Sequence, residues 1–125
     1  LKPYTDTVGK LTIGVGRNLT DVGISREEAM LLLNHDLDSA IADCETWPWF
    51  KDLSPIRQRV LVDMRFNLGM TRLRLFRRML NALMLGNWAQ AAVQMRQSKW
   101  AQQVGRRAVR LATMMETDTD PGPQP

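Results

Sequence analysis

Apolar positions along the chain change their period after the first two dozen residues. Leu11, Ile13 and Val15 alternate with Thr12, Gly14 and Gly16, the period-two pattern of a half-buried strand. Gly9 supplies the positive φ that a tight turn between short strands requires. The pattern predicts a hairpin over residues 1–18, with Asp6 just before the turn and Thr12 just after it. On such a ribbon the carboxylate and the hydroxyl lie close together. Asp21 to Gly23 read as a further turn.

From Ser25 onward the spacing becomes three and four. Ser25-Arg26-Glu27-Glu28 is a capping box, Ser25 at the N-cap and Glu28 three residues on. The helix it opens carries Ala29, Leu32, Leu33, Leu37, Ala40, Ile41 and Cys44 on one stripe. It runs to about Glu45, where Trp47-Pro48-Trp49-Phe50 breaks it. Ser54-Pro55 starts a second helix bearing Ile56, Val60, Leu61, Met64 and Leu68, stopped by Gly69. A third covers about Arg72 to Leu85, with Leu73, Phe76, Met79, Leu80 and Leu83 apolar, and ends at Gly86. Asn87 caps a short helix with Trp88, Ala91, Ala92 and Met95. Ser98 caps a last one holding Trp100, Val104, Ala108, Leu111 and Met115. Residues 117–125 contain proline, glycine and no apolar side chain, which predicts disorder.

The fold class that follows is α+β and mostly helical. One domain, residues 1–116, divides into a small β-hairpin lobe (1–24), a connecting helix (25–46) and a helical lobe (54–116). With 125 residues, 44% of them hydrophobic and 24% charged, the chain suits a single globular domain with a modest core. No apolar run approaches the ~20 residues of a membrane span, and no signal peptide is visible. Cys44 is the one cysteine, which excludes an internal disulfide. His35 is the one histidine, so a multi-histidine metal site is excluded, and neither a metal nor a cofactor is expected. Charge is divided unevenly. Residues 1–56 hold five Lys/Arg against nine Asp/Glu, whereas residues 57–125 hold twelve against four. The basic half suits an anionic partner such as a cell-wall polymer, an outer-membrane surface or nucleic acid, or is simply a solvated cationic face.

The run L-x-x-Y-x-D-x-x-G-x-x-T-I-G-x-G, from Leu1 to Gly16, resembles the active-site hairpin of the phage-type lysozymes, the T-even phage lysozyme relatives of glycoside hydrolase family 24. Later segments are similar as well. Leu33-Asn34-His35-Asp36-Leu37-Asp38 looks like the family's stretch near the start of its connecting helix. Asp63-Met64-Arg65-Phe66-Asn67-Leu68-Gly69 resembles its buried Asn-Met-x-Phe-Gln-x-Gly segment. Asn87-Trp88-Ala89-Gln90-Ala91-Ala92, Ser98-Lys99-Trp100 and Gly105-Arg106-Arg107-Ala108 continue the resemblance, which reaches about Thr117. It implies a lysozyme-like fold.

The activity implied is that of a muramidase, an endolysin cutting the β-1,4 link between N-acetylmuramic acid and N-acetylglucosamine in peptidoglycan during cell lysis. Such cleavage needs a proton donor for the leaving oxygen; in inverting enzymes a carboxylate also positions water on the opposite sugar face. The resemblance implies Asp6 for that carboxylate and Thr12 as the hydroxyl holding the water. The family's proton donor, a Glu, falls about four residues before Leu1. The chain does not begin with Met, and Leu1 already sits inside the hairpin pattern. The sequence is therefore expected to start inside a longer one and to be inactive alone, leaving open an apolar groove that a preceding helix would fill. Arg107, with Arg106 beside it, best matches the Arg that holds the Glu. Asn18, Phe66, Asn67 and Gln94 match positions on the wall of the substrate cleft. Arg17 stands where the family has His, and is expected to pair with Asp36.

Local pattern alone supports plainer roles. An Asp before a turn glycine is a turn former, Thr is a good strand residue, Phe66 on an apolar face suits a core, and Arg107 a surface. A relative without turnover that binds glycan or a protein is the second hypothesis. A third is a nucleic-acid-binding helix using Arg72, Arg74, Arg77 and Arg78; it lacks a DNA-binding pattern, and no specific nucleic acid is expected. The family implies action from the host cytoplasm into the periplasm and cell wall, and a monomer when its first helix is present.

Overall fold

A computed structural model describes residues 1–122 of the chain. Among the described residues it contains seven helices and one small antiparallel sheet, the mostly helical α+β arrangement that the sequence predicts. Two compact units are present, Leu1–Asp36 and the remainder from Leu37.

The first unit opens with the sheet, whose strands are β1 (Tyr4–Thr5), β2 (Leu11–Ile13) and β3 (Arg17–Asn18), in the order β1-β2-β3. The expected first hairpin is there, with Tyr4 opposite Thr12 and Thr5 opposite Leu11. The second strand is shorter than its alternation suggests. Gly14 and Gly16 take φ of 65° and 84°, and the backbone turns there into β3, a strand the pattern does not announce. Burial is also the reverse of the expectation. Thr12 is 4% exposed, while Leu11 is 45% exposed and Val15 is fully exposed. Thr12 is the residue paired on both sides, with Tyr4 and with Asn18. In strands this short, only a residue flanked on both sides is covered.

Helix α1 (Arg26–Cys44) begins as predicted. Ser25 Oγ accepts the Glu28 N–H at 3.1 Å, and Glu28 Oε1 accepts the Ser25 N–H at 2.9 Å, a reciprocal capping box. The boundary between the units falls within α1. Of its predicted apolar stripe only Ala40 and Cys44 are buried, and Ala29, Leu32 and Ile41 are exposed.

The second unit is built on α2 (Pro55–Leu68), α3 (Met70–Leu73), α4 (Arg77–Met84), α5 (Trp88–Arg96), α6 (Lys99–Val104) and α7 (Arg106–Thr117). Ser54, Asn87 and Ser98 cap α2, α5 and α6 with their side chains, as the sequence indicates. α5 packs on α4 and α7, and α2 on α7. Between them lie Leu61, Met64, Leu73, Met79, Leu83, Met95 and Met115, each at most 2% exposed. Removing that much apolar surface from water is the main favourable term in holding these helices together.

Two helices predicted as continuous are broken. The expected helix from Arg72 to Leu85 becomes α3 and α4, separated at Phe76 with ψ of 55°. Leu73 is sealed in the core, and Phe76 meets Trp100 edge to face at 6.4 Å, a placement that redirects the chain between them. The helix expected from Ser98 past Met115 is cut at Gly105, whose φ of 60° and ψ of −121° suit glycine alone.

The end of α7 is anchored by a side chain without a predicted role. Arg57 is 9% exposed and donates through Nε to the Met115 carbonyl at 2.7 Å and through Nη2 to the Glu116 carbonyl at 3.0 Å. Its guanidinium lies 4.2 Å from the centre of the Trp88 ring. The helix therefore ends on a cation that satisfies its orphan carbonyls. The disorder expected from Thr117 does not begin there: Thr117 closes α7, and Asp120 pairs with Arg110. The part of that expectation on residues 123–125 lies outside the described residues.

Candidate active site

Three of the residues singled out by the sequence stand in the first unit. The register places Asp6 opposite Lys10, two pairs beyond Tyr4–Thr12, so Asp6 and Thr12 share a face as diagonal neighbours. Such positions lie roughly 7–8 Å apart along the backbone. Both side chains are fixed by the peptide groups of Lys10. Asp6 Oδ1 accepts the Lys10 N–H at 2.8 Å and the Val8 N–H at 3.0 Å, while Thr12 Oγ1 donates to the Lys10 carbonyl at 3.1 Å. The turn-forming role of Asp6 is therefore real, and it uses one carboxylate oxygen. A carboxylate held in this way is oriented without spending its second oxygen, a suitable acceptor for a proton from water.

Asn18 lies beside Thr12 in the sheet, but its amide is committed locally. Its Nδ2 donates to Asp21 Oδ2, and its Oδ1 accepts the Asp21 N–H, each at 3.0 Å. Arg17 does not pair with Asp36. Its guanidinium grips Glu28 through two hydrogen bonds, 3.0 and 2.6 Å, and donates also to the Gly23 carbonyl. The reason is proximity: the capping box already holds the Glu28 carboxylate at the start of α1, beside the end of β3. The Ser25 amide first, and then Arg17, hold that carboxyl below the usual carboxylate range.

The other four stand in the second unit. Arg107, near the start of α7, donates to Asp63 Oδ1 at 2.5 Å, and Asn67 Nδ2 donates to the same oxygen at 2.7 Å. Asp63, Asn67 and Arg107 thus form one polar cluster on α2 and α7. Asp63 received no role from sequence, although its place one helical turn before Asn67 was a usable signal. Arg106 is exposed and forms no ion pair among the described residues. Phe66 is 39% exposed, so it is not the core residue that its helix position suggests. Gln94 is half-buried and lines a cleft of about 630 Å³ on the same unit.

The mostly helical α+β chain with its small three-stranded sheet is consistent with the lysozyme-like class of fold. The family model described as phage lysozyme matches residues 1–115, and the chain belongs to that family. It is 27% identical over 149 aligned positions to "Probable T4-type lysozyme 1" of Dictyostelium discoideum, covering 95% of this chain and 88% of that protein. A second protein of the same organism, "Probable T4-type lysozyme 2", is 26% identical with the same coverage. The "Pre-baseplate central spike protein Gp5" of Enterobacteria phage T4 is 29% identical over 94% of this chain but only 25% of its own length. Family membership supports a glycoside-hydrolase-like enzyme with a lysozyme-like function. No helix among the described residues is long and apolar enough to cross a membrane.

Proposed function

We propose that the chain is the body of a muramidase that hydrolyses the β-1,4 bond between N-acetylmuramic acid and N-acetylglucosamine in peptidoglycan, with inversion at the anomeric carbon. The observation that carries this is the fixed carboxylate of Asp6, held by two backbone amides on the face it shares with Thr12. Asp6 takes the proton of the attacking water, and Thr12 orients that water with its hydroxyl. Their placement on one hairpin, each side chain bonded to the Lys10 peptide groups, supplies the pre-orientation such a reaction rewards. Arg107 holds the Glu that, by family resemblance, protonates the leaving oxygen. Asn18, Phe66, Asn67 and Gln94 contact the glycan. In this role the protein works as a monomer on peptidoglycan during phage lysis, passing from the host cytoplasm to the periplasm, and its basic half favours an anionic outer membrane.

One observation favours a second reading, a relative that binds glycan without turnover. Asp6 and Asn18 both spend side-chain acceptors on their own turns, a sufficient structural reason for their presence. The experiment is digestion of purified peptidoglycan by the protein as its own gene expresses it, with new reducing ends quantified and their anomeric form followed by NMR. Release of the inverted anomer, abolished by Asp6→Asn, is the expected result. Retained anomeric configuration, or unchanged turnover in Asp6→Asn, would remove Asp6 from the mechanism. Pelleting with peptidoglycan and no reducing ends from the intact protein would establish the binding reading.

A further inference from the structure

The cleft on the second unit, which Gln94 also lines, carries a charge that the glycosidase reading does not use. Arg72, Arg77, Arg78 and Lys99 line it, and none of the four forms an ion pair or a side-chain hydrogen bond among the described residues. Arg57, Arg59, Arg65, Arg96, Arg107 and Arg110 of the same unit each have a carboxylate, whereas Arg74 and Arg106, which do not line the cleft, have none among the described residues. Four unpaired cations around one concavity repel one another, and the field they focus there favours an anion.

Two further features point the same way. The first three residues of α4 line the cleft, and Phe76 at its N-cap provides no side-chain acceptor. The amides of that first turn have no partner within the helix, and they carry the positive end of its dipole. Independently, Trp100 lines the cleft while only 4% exposed, and its Nε1–H is buried with no acceptor among the described residues. A buried donor left alone costs free energy, so an acceptor that reaches it is favoured by that amount.

We propose that this cleft is a binding site for a phosphoryl-bearing anion. A carboxylate carries one charge, whereas a phosphoryl group presents up to two charges and three oxygens to converging guanidinium forks. At about 630 Å³ the cleft has room for more than one such group, or for a phosphoryl group with the molecule that bears it. The apolar rim, with Leu75 66% exposed, leaves space for an uncharged portion beside the charged one. The proposal does not depend on turnover of peptidoglycan.

The test uses the full chain, labelled with nitrogen-15, and inorganic pyrophosphate added at constant ionic strength. The indole N–H signal of Trp100, assigned through Trp100→Phe, is expected to move saturably. Arg77→Gln with Arg78→Gln should weaken binding by about tenfold or more, the scale of losing charged hydrogen bonds. Arg74→Gln with Arg106→Gln removes the same charge outside the cleft and should leave the affinity unchanged. A second arm replaces pyrophosphate with phosphatidylglycerol vesicles. Saturable pyrophosphate binding supports the site with a free phosphoryl ligand. Binding to vesicles alone, lost in the cleft double variant, supports it with a lipid headgroup as the source. Equal losses in both double variants, or no saturable response to either probe, would overturn the proposal.

Discussion

Arg107 and Asp63 are joined across α7 and α2 by a hydrogen-bonded ion pair of 2.5 Å, and Asn67 shares the same carboxylate oxygen. The Arg107 side chain is 51% exposed and that of Asp63 32% exposed, so water screens the pair. Exposed pairs contribute little to stability, and Arg107→Ala is expected to cost less than about 1 kcal/mol in urea unfolding. If Arg107 positions the catalytic Glu, the same variant should lower peptidoglycan turnover by about 10²-fold, the scale of a misplaced catalytic group. A large stability loss with unchanged turnover would make Arg107 a structural residue.

Arg57 is the opposite case. It is buried, bonded to two carbonyls at the end of α7 and stacked on Trp88. Arg57→Ala leaves the Met115 and Glu116 carbonyls without their donor, and is expected to destabilise the chain by about 2–4 kcal/mol. Denaturant unfolding measures it directly, and a change below about 1 kcal/mol would show that water replaces the guanidinium.

Asp120 should add an acid-sensitive contribution. The Arg110 guanidinium, then the Gly122 amide, hold its carboxyl down to about 2, against an ordinary 3.8. A carboxyl depressed in the folded state favours folding above its unfolded value. That contribution fades as pH falls from about 4 to about 2. In Asp120→Asn the unfolding free energy should depend less steeply on pH over this window and match the parent's slope above it. Equal slopes throughout would exclude the Arg110 pair as a source of acid sensitivity.

Cys44 should be chemically silent while the chain is folded. It is fully buried, and loss of solvent pushes its thiol up to about 12. The reactive form is the thiolate, so a disulfide reagent at pH 8 should modify native protein only as fast as it opens, and denatured protein at once. Rapid native labelling would mean that the end of α1 opens readily.

Much of the fold was legible because its signals are local. A capping box at Ser25–Glu28, the caps at Ser54, Asn87 and Ser98, and the stop at Gly69 depend on neighbours three or four residues away, and each formed where expected. The two helix breaks were not legible. Phe76 leaves helical geometry where it meets Trp100, which is distant in sequence, and the glycine break at Gly105 lies inside a run whose apolar spacing stays helical. The sheet failed for a related reason. Alternation gave Leu11 and Ile13 the inner face, but cross-strand pairing on both sides buried Thr12.

The candidate site divides along the same line. Sequence by itself determined the family, because a long spaced pattern around Asp6 and Thr12 is specific even at 27% identity to a curated relative. It also determined that the second half is basic. Tertiary structure decided the partners: Glu28 rather than Asp36 for Arg17, Asp63 for Arg107, two carbonyls for Arg57, and, among the described residues, no carboxylate for the cations of the cleft that Trp100 lines. A side chain's type is fixed by its own position, but its partner depends on which distant groups the packed helices bring within hydrogen-bond reach.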